Sequence, residues 1–170
     1  GIGAFHIADA DVIEIKNINR QAVADNSTIG RHKSDVVEAL IRSINPSAEV
    51  SVFMDGITKN NVHDFLVGVD VVVDGIDFFE IETRRMLFAK AREMGIFVIT
   101  AGPVGYGSSM LVFDPHGMSF DEYFDINDEL TLDEKLIRFG VGLTPSLMQR
   151  AYFDPRAINW KTHQAPSLVT

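Results

Sequence analysis

The chain of 170 residues contains no cysteine. This absence excludes disulfide bonds, a thiolate-bound zinc ion and a cysteine thioester within the chain. No run of about 18 or more apolar residues occurs, so the sequence predicts no membrane span. Basic residues are outnumbered, 15 against 24 acidic ones, which gives a net charge of −9. That balance argues against a broad surface for nucleic acid or an anionic membrane, but it leaves room for a small basic nucleotide pocket.

What the chain does have is enough apolar material for a core. Hydrophobic residues make up 46% of it, which at this length favours one globular domain over disorder. No secretory signal is visible, and we therefore expect the cytoplasm as the compartment.

Along the chain, segments with the hydrophobic pattern of a strand alternate with segments that have the pattern of a helix. Strands are predicted over residues 5–8, 49–53, 69–73, 96–100 and 110–113, and helices over residues 32–44, 62–67 and 79–94. The segment 69–73 is entirely apolar apart from Asp70, which is typical of a strand buried on both faces of a parallel sheet. This order of elements predicts an α/β layer fold with a mainly parallel sheet.

The helix predicted over residues 79–94 has two faces. We expect its core side to bear Met86, Leu87, Ala91 and Met94, and its solvent side to bear Glu80, Arg84, Arg85 and Arg92. Gly95 is expected to end it. Two capping boxes are predicted further on, at 119–122 and 131–134, and Thr144-Pro145 predicts a third short helix.

Two glycine clusters do not fit phosphate-binding fingerprints. Gly1-Ile2-Gly3 has no strand before it and an apolar strand after it, whereas a dinucleotide fingerprint needs the opposite order. The third glycine is also replaced, by His6. The cluster at 102–107 lacks the lysine of a phosphate loop, and we interpret it as a tight connection before an antiparallel strand.

Polar residues after the first predicted strand could hold a nucleotide. Asp9 ends that strand, where an acid can accept hydrogen bonds from ribose hydroxyls; it could instead cap a turn. Asn17, Arg20 and Gln21 follow in a polar loop, where an arginine can fork across phosphate oxygens; a solvated loop is the alternative. Lys33 begins a predicted helix, a favourable place for an anion, although a plain surface lysine is the simpler alternative.

Two aspartates end the apolar segment 69–73. Carboxylates at such a strand end commonly hold magnesium, which keeps several waters and bridges phosphates. The alternative is that Asp77 caps the helix beginning near residue 79. We favour Asp77 for contact with the metal and Asp74 for a supporting role.

Taken together, the motifs resemble the ThiF/MoeB/HesA family, the adenylating domain shared with ubiquitin-activating enzymes. The resemblance covers roughly residues 1–114 and rests on Ala8-Asp9-Ala10-Asp11, Asn17-Ile18-Asn19-Arg20-Gln21, Gly30-Arg31-His32-Lys33, Ile44-Asn45-Pro46 and Asp74-Gly75-Ile76-Asp77. It implies a Rossmann-like three-layer fold with a mainly parallel sheet continued by antiparallel strands.

The resemblance also implies roles for individual residues. The nucleotide site for ATP would consist of Asp9, Asp11, Asn17, Arg20, Gln21 and Lys33. Catalysis would rest on Arg20, Lys33 and Asp77, with Asp77 as the magnesium ligand. The implied reaction is adenylation of a carboxylate, such as the C-terminus of a ubiquitin-like protein or peptide, by a protein that forms a homodimer.

Departures from the family pattern keep other hypotheses open. Phe78 stands where the family often has an asparagine, and the paired zinc cysteines and the thioester cysteine are missing. A non-catalytic module that binds nucleotide or acts as a scaffold is one alternative, and an NAD-dependent oxidoreductase is another. The resemblance further implies that residues 1–170 form one domain of a longer protein, without its first strand, glycine loop and first helix and without a C-terminal element.

Overall fold

The computed structural model describes residues 1–104, 107–146, 148–151 and 158–160. The chain divides into two compact units, the first over residues 1–67 and the second from residue 68 onward. Both units combine helices with strands. Within these residues, no helix is long and apolar enough to cross a membrane.

The first unit is built around a parallel pair of strands joined by a helix. Its elements are β1 (Ala4–Ala8), a 3₁₀ turn (Ile15–Asn17), α1 (Lys33–Ile44), β2 (Glu49–Phe53) and α2 (Val62–Leu66). The register places Ala4 beside Glu49 and Ala8 beside Phe53, and α1 packs on both strands. The predicted strands and helices of this region are confirmed to within one residue at each end.

The second unit adds an antiparallel strand to a parallel pair. Its elements are β3 (Val71–Asp74), α3 (Ile81–Glu93), β4 (Phe97–Val104), β5 (Gly107–Phe113), α4 (Phe120–Phe124), α5 (Leu132–Gly142) and a 3₁₀ turn (Met148–Ala151). The strand order is β3-β4-β5, with β3 parallel and β5 antiparallel to β4. The prediction of parallel strands continued by an antiparallel one is confirmed.

Strand β3 is buried on one face only, which corrects the prediction of burial on both. Val72 and Asp74 are buried, whereas Val71 is 44% and Val73 is 76% exposed. The buried face is the one toward α3, because Asp74 forms an ion pair with Arg84 of that helix. Valine suits either face of a strand, so the composition of the segment could not distinguish the two.

The interpretation of the glycine cluster at 102–107 as a tight connection before an antiparallel strand is confirmed, although the two strands reach further into the cluster than predicted. Strand β4 continues through Val104, β5 begins at Gly107, and these two residues pair across the hairpin. Residues 105 and 106 lie outside the described residues. Gly102 has a packing reason, since a Cβ there would lie 3.0 Å from Cδ1 of Leu143; glycine in a strand often marks such a close approach.

The helix ends follow the sequence signals with one exception. Both capping boxes form, at 119–122 and 131–134, and Gly95 follows α3 with a φ of 75°. The third short helix does not begin at Thr144-Pro145 as predicted, because the described residues 145 and 146 make a turn and a 3₁₀ turn follows only at Met148–Ala151. Thr144 closes α5 instead, because its backbone N–H donates to the Val141 carbonyl and its hydroxyl to the Gly140 carbonyl, at 2.9 and 3.3 Å.

Candidate functional site

The end of β1 and the start of α1 bring acids and a lysine together. The Lys33 ammonium lies 2.7 Å from Oδ2 of Asp11 and 3.9 Å from Oδ2 of Asp9. The hydroxyl of Ser34, which is buried, donates to the Asp9 carbonyl at 2.8 Å. We call Asp9, Asp11 and Lys33 the acid–lysine cluster. Three of the residues predicted for the nucleotide site therefore lie side by side.

The backbone between the strand and the helix holds this cluster in place. The N–H of Lys33 donates to the Asp11 carbonyl at 3.0 Å, and Ile13 exchanges backbone hydrogen bonds with residues 30 and 31, both at 2.8 Å. Ile13 is almost completely buried and anchors the segment. Gly30 has a φ of 83°, which a residue with a side chain rarely adopts, so glycine is needed where the chain turns back toward α1.

The charges of the cluster suit a ligand that carries both hydroxyl groups and an anionic group such as a phosphate. Lys33 is only 14% exposed and begins a helix, where the helix dipole disfavours a cation. The two carboxylates compensate that cost. Because Asp11 is largely exposed, its ion pair contributes about 0–1 kcal/mol and can yield to a phosphate. Asp9 could then accept hydrogen bonds from sugar hydroxyls while Lys33 meets the anion.

The polar loop holds its predicted residues in local contacts. Asn17 is buried, and its side-chain oxygen accepts a hydrogen bond from the N–H of Glu14 at 2.8 Å. Nη1 of Arg20 donates to the Lys16 carbonyl at 2.6 Å, and the N–H of Gln21 donates to the Asn17 carbonyl at 2.9 Å. Within the described part of the chain, no hydrogen bond or ion pair joins these three residues to the acid–lysine cluster.

In the second unit, Asp77 lies in the connection between β3 and α3 with its side chain exposed. One carboxylate oxygen accepts a hydrogen bond from the N–H of Phe79 at 3.0 Å. The alternative role as cap of α3 is wrong, because that helix begins at Ile81 and Glu80 is its N-cap. Magnesium in phosphate sites is often held by one or two carboxylates plus phosphate oxygens and waters. Asp77 fits that limited role, and the described residues contain no cluster of three or more metal-binding side chains.

Arg84 was assigned to the wrong environment by the sequence prediction. Predicted to face solvent, it is 3% exposed, and its Nε donates to Oδ2 of Asp74 at 2.8 Å. The sequence did hold a signal for this position. Ile81, Arg84, Phe88 and Ala91 follow one another at helical spacing, and all four are buried. An arginine on the apolar stripe of a helix, ten residues after an acid that ends a strand, predicts a buried ion pair.

Fold and site together define an α/β protein with an acid–lysine cluster at a strand–helix junction and an exposed aspartate after a second strand. The model of the ThiF family matches residues 1–148, so the chain belongs to that family. Curated relatives include a tRNA threonylcarbamoyladenosine dehydratase of Haemophilus influenzae, which is 39% identical over 106 residues. The sulfur carrier protein ThiS adenylyltransferase of Escherichia coli is 29% identical over 115 residues.

These relatives are longer than the chain. The match with the dehydratase covers 62% of this chain and 40% of the relative, and the match with the adenylyltransferase covers 68% and 45%. A SAMP-activating enzyme of Haloferax volcanii is 36% identical over 56% of this chain and 35% of its own length. The chain thus spans less than half of the curated relatives that it matches.

Solved structures agree with the family assignment. The Escherichia coli tRNA threonylcarbamoyladenosine dehydratase in complex with ATP is 34% identical, with a TM-score of 0.56 over 62% of this chain and 43% of that one. A structure of PaaA reaches a TM-score of 0.61 over 91% of this chain and 50% of that one, at 21% identity, and supports the fold alone.

Proposed function

We propose that this chain provides the nucleotide-binding part of an enzyme that uses ATP to adenylate a carboxylate. The observation that carries the proposal is the acid–lysine cluster, which combines acceptors for a sugar with a cation for a phosphate where β1 meets α1. The family match over residues 1–148 and a relative solved with ATP support the same chemistry. We also propose that residues 1–170 belong to one adenylating domain.

Each predicted residue then has a role. Asp9 and Asp11 would accept hydrogen bonds from the ribose hydroxyls. Asn17, Arg20, Gln21 and Lys33 would hold phosphate oxygens. Of these, Arg20 and Lys33 would neutralise the charge that accumulates on the phosphate during the reaction, which is the main contribution a protein makes to such a transfer. Asp77 would hold magnesium, which would supply positive charge to neutralise the phosphates.

The reaction balances without a protein nucleophile. An oxygen of the substrate carboxylate forms a bond to the α-phosphorus of ATP. The bond between that phosphorus and the oxygen bridging to the β-phosphate breaks, and pyrophosphate leaves with the electron pair. The product is an acyl-adenylate, and no proton has to move in this step. The lack of cysteine in the chain is compatible with this half-reaction.

For the carboxylate, we propose the C-terminus of a ubiquitin-like protein or a peptide. One relative is named as the adenylyltransferase of a sulfur carrier protein, and another is named as a SAMP-activating enzyme E1. The dehydratase relative is named for a modified tRNA, which makes a tRNA-linked carboxylate the second candidate. The net charge of −9 favours the protein substrate, because binding to RNA relies on lysine and arginine contacts to phosphates. We further propose a homodimer that acts in the cytoplasm.

The test is exchange of labelled pyrophosphate into ATP by the full protein, with candidate carboxylates added in turn. Lys33→Ala is expected to lower the exchange rate by about 10²–10³, the usual effect of removing one group that stabilises developing charge. Lys59→Ala is the matched control, since Lys59 is exposed and lies in neither predicted site. The same comparison applies to Asp77→Asn with Asp70→Asn as its control.

Each alternative predicts a different result. Exchange that persists unchanged in Lys33→Ala and Asp77→Asn would refute the residue assignments. ATP binding without exchange for any carboxylate would favour the non-catalytic module. Binding of NAD in preference to ATP would favour the oxidoreductase. The proposed homodimer is tested separately by light scattering of the full protein.

A further inference from the structure

We propose that Arg84 is a positioning residue for Asp77, and that it sets how strongly Asp77 binds a divalent cation. The inference rests on the proposed function, because it assumes that Asp77 holds a metal next to ATP. Arg84 itself is buried, and it acts on the segment of residues 74–79, which we call the aspartate loop. All of its described contacts lie within the second unit.

The guanidinium of Arg84 makes three hydrogen bonds to the aspartate loop. Nε donates to Oδ2 of Asp74 at 2.8 Å, Nη1 donates to the Asp77 carbonyl at 3.3 Å, and Nη2 donates to the Ile76 carbonyl. The other carboxylate oxygen of Asp74 accepts from the N–H of Ile76 at 2.9 Å. One planar, always charged group thus fixes both ends of the turn that carries Asp77.

The same guanidinium is supported from helix α5. It lies 4.6 Å from the centroid of the Phe139 ring, close enough for a cation–π interaction. Phe78, the residue after Asp77, packs on the same ring with a centroid distance of 5.6 Å. The Phe139 ring therefore contacts the residue that holds the loop and a residue of the loop itself. The Asp77 side chain remains exposed above this support.

Fixing the loop matters because a metal held by one carboxylate depends on where that carboxylate is placed. If the loop occupied the competent position only part of the time, the apparent affinity would equal the intrinsic affinity multiplied by that fraction of the time. Groups that orient metal ligands typically change metal affinity 10–100-fold when they are lost. A change at Arg84 should therefore weaken the metal-dependent part of ATP binding, and leave the metal-independent part unchanged.

Arg84→Lys is the variant of choice, because it keeps a cation for Asp74. A lysine ammonium has no planar fork, so it cannot reproduce the three directed hydrogen bonds. Arg85→Lys is the matched control. Arg85 is the next residue of α3 and also pairs with carboxylates. The hydrogen bonds that its guanidinium donates to the Asp121 carboxylate are the largest cause of its raised pKa. Among the described residues, its side chain bonds to residues 82, 121 and 128 and makes no hydrogen bond to the aspartate loop.

The experiment is calorimetric titration of the full protein with ATP, once with excess Mn²⁺ and once with a chelator. The ratio of the two dissociation constants measures the gain in affinity that the metal provides. We expect Arg84→Lys to reduce that ratio by about tenfold or more, with unchanged binding of metal-free ATP, and Arg85→Lys to leave both constants as in the wild type. In the Asp77→Asn background, Arg84→Lys should have no further effect on the ratio, because it acts through Asp77.

The outcomes separate this inference from the proposed function. A wild-type protein that binds ATP with a clear metal-dependent gain, and an Arg84→Lys variant with the same gain, would overturn the inference and leave the function standing. A variant that weakens both forms of ATP equally would also overturn it, because that pattern indicates general damage. A wild type that binds neither form of ATP would refute the proposed function, and the inference would fall with it.

Discussion

Asp74 and Asp77 are three residues apart, and the structure predicts opposite consequences for their loss. The Asp74 carboxylate is completely buried and pairs with a guanidinium that is 4% exposed. Removing one partner of such a pair leaves the other charge buried without compensation, which costs about 3–5 kcal/mol of folding free energy. For a protein of this size, about 1 kcal/mol shifts the melting temperature by roughly 2–4 °C. Asp74→Ala is therefore expected to lower it by roughly 6–20 °C.

Asp77→Ala should behave differently. Its side chain is exposed, and the change removes one hydrogen bond, from the N–H of Phe79. A hydrogen bond of that kind contributes about 0.5–1.5 kcal/mol, so the melting temperature should fall by only a few degrees. The metal-dependent gain in ATP affinity should nevertheless disappear in this variant. Loss of stability and loss of metal binding would thus be assigned to two different aspartates.

The assay is urea unfolding of both variants and the wild type, followed by circular dichroism, with thermal scans in parallel. A second variant, Asp74→Leu combined with Arg84→Met, removes both charges and should recover much of the lost stability, because apolar residues often replace a buried ion pair at little cost. The reasoning would be refuted if Asp74→Ala and Asp77→Ala destabilised the protein equally. It would also be refuted if the double change were worse than Asp74→Ala alone.

Two further predictions concern helix α5. Gly142→Ala should lower the free energy of unfolding, measured in urea, by about 1–3 kcal/mol, because a Cβ there would collide with the Phe124 ring. Gly1→Ala is the control and should leave the stability unchanged, because the space around Gly1 is open. Equal stability of the two variants would contradict the observed packing. The pKa of Glu134 lies below its ordinary value of 4.5 because the N–H and then the hydroxyl of Thr131 donate to it. The stability that these hydrogen bonds provide is present above pH 4.5 and is lost as the pH falls through the lowered pKa. Glu134→Gln should therefore lose less melting temperature between neutral and acidic pH than the wild type does. The same dependence of melting temperature on pH in both proteins would contradict this prediction.

Much of the fold could be predicted because its elements carry local signals. The apolar alternation of 49–53, the Asn45-Pro46 stop after α1 and the two capping boxes each depend on a few neighbouring residues. The wrong predictions concern contacts between residues that are distant in the sequence. Whether Val73 is covered depends on which element packs against the sheet, and that information is not contained in the strand itself. The same holds for Thr144, whose hydroxyl could begin a helix or close the preceding one.

The candidate site shows the same division between local and distant information. The family resemblance assigned Asp9 and Lys33 to one nucleotide site, and the structure brings their charged groups to within 3.9 Å of each other because one ends a strand and the other begins a helix. The hydrogen bonds that Asn17 and Arg20 each form with neighbouring loop residues were not predicted, since a polar loop can fold onto itself in many ways. Arg84 was missed because charge alone suggested solvent, and only its partner Asp74 makes burial favourable.

The surroundings of Phe78 in the structure give this residue a packing role that the sequence did not suggest. In the sequence, a phenylalanine where the family often has an asparagine weakened the argument for a working metal site. In the structure, its ring packs against Phe139, and a Cβ on Gly140 would lie 3.7 Å from it, so the residue anchors the aspartate loop to α5. The packing of Phe78 thus restrains the loop in addition to the hydrogen bonds that Arg84 donates to Asp74, Ile76 and Asp77. Phe78 therefore packs against α5 while the neighbouring Asp77 stays exposed.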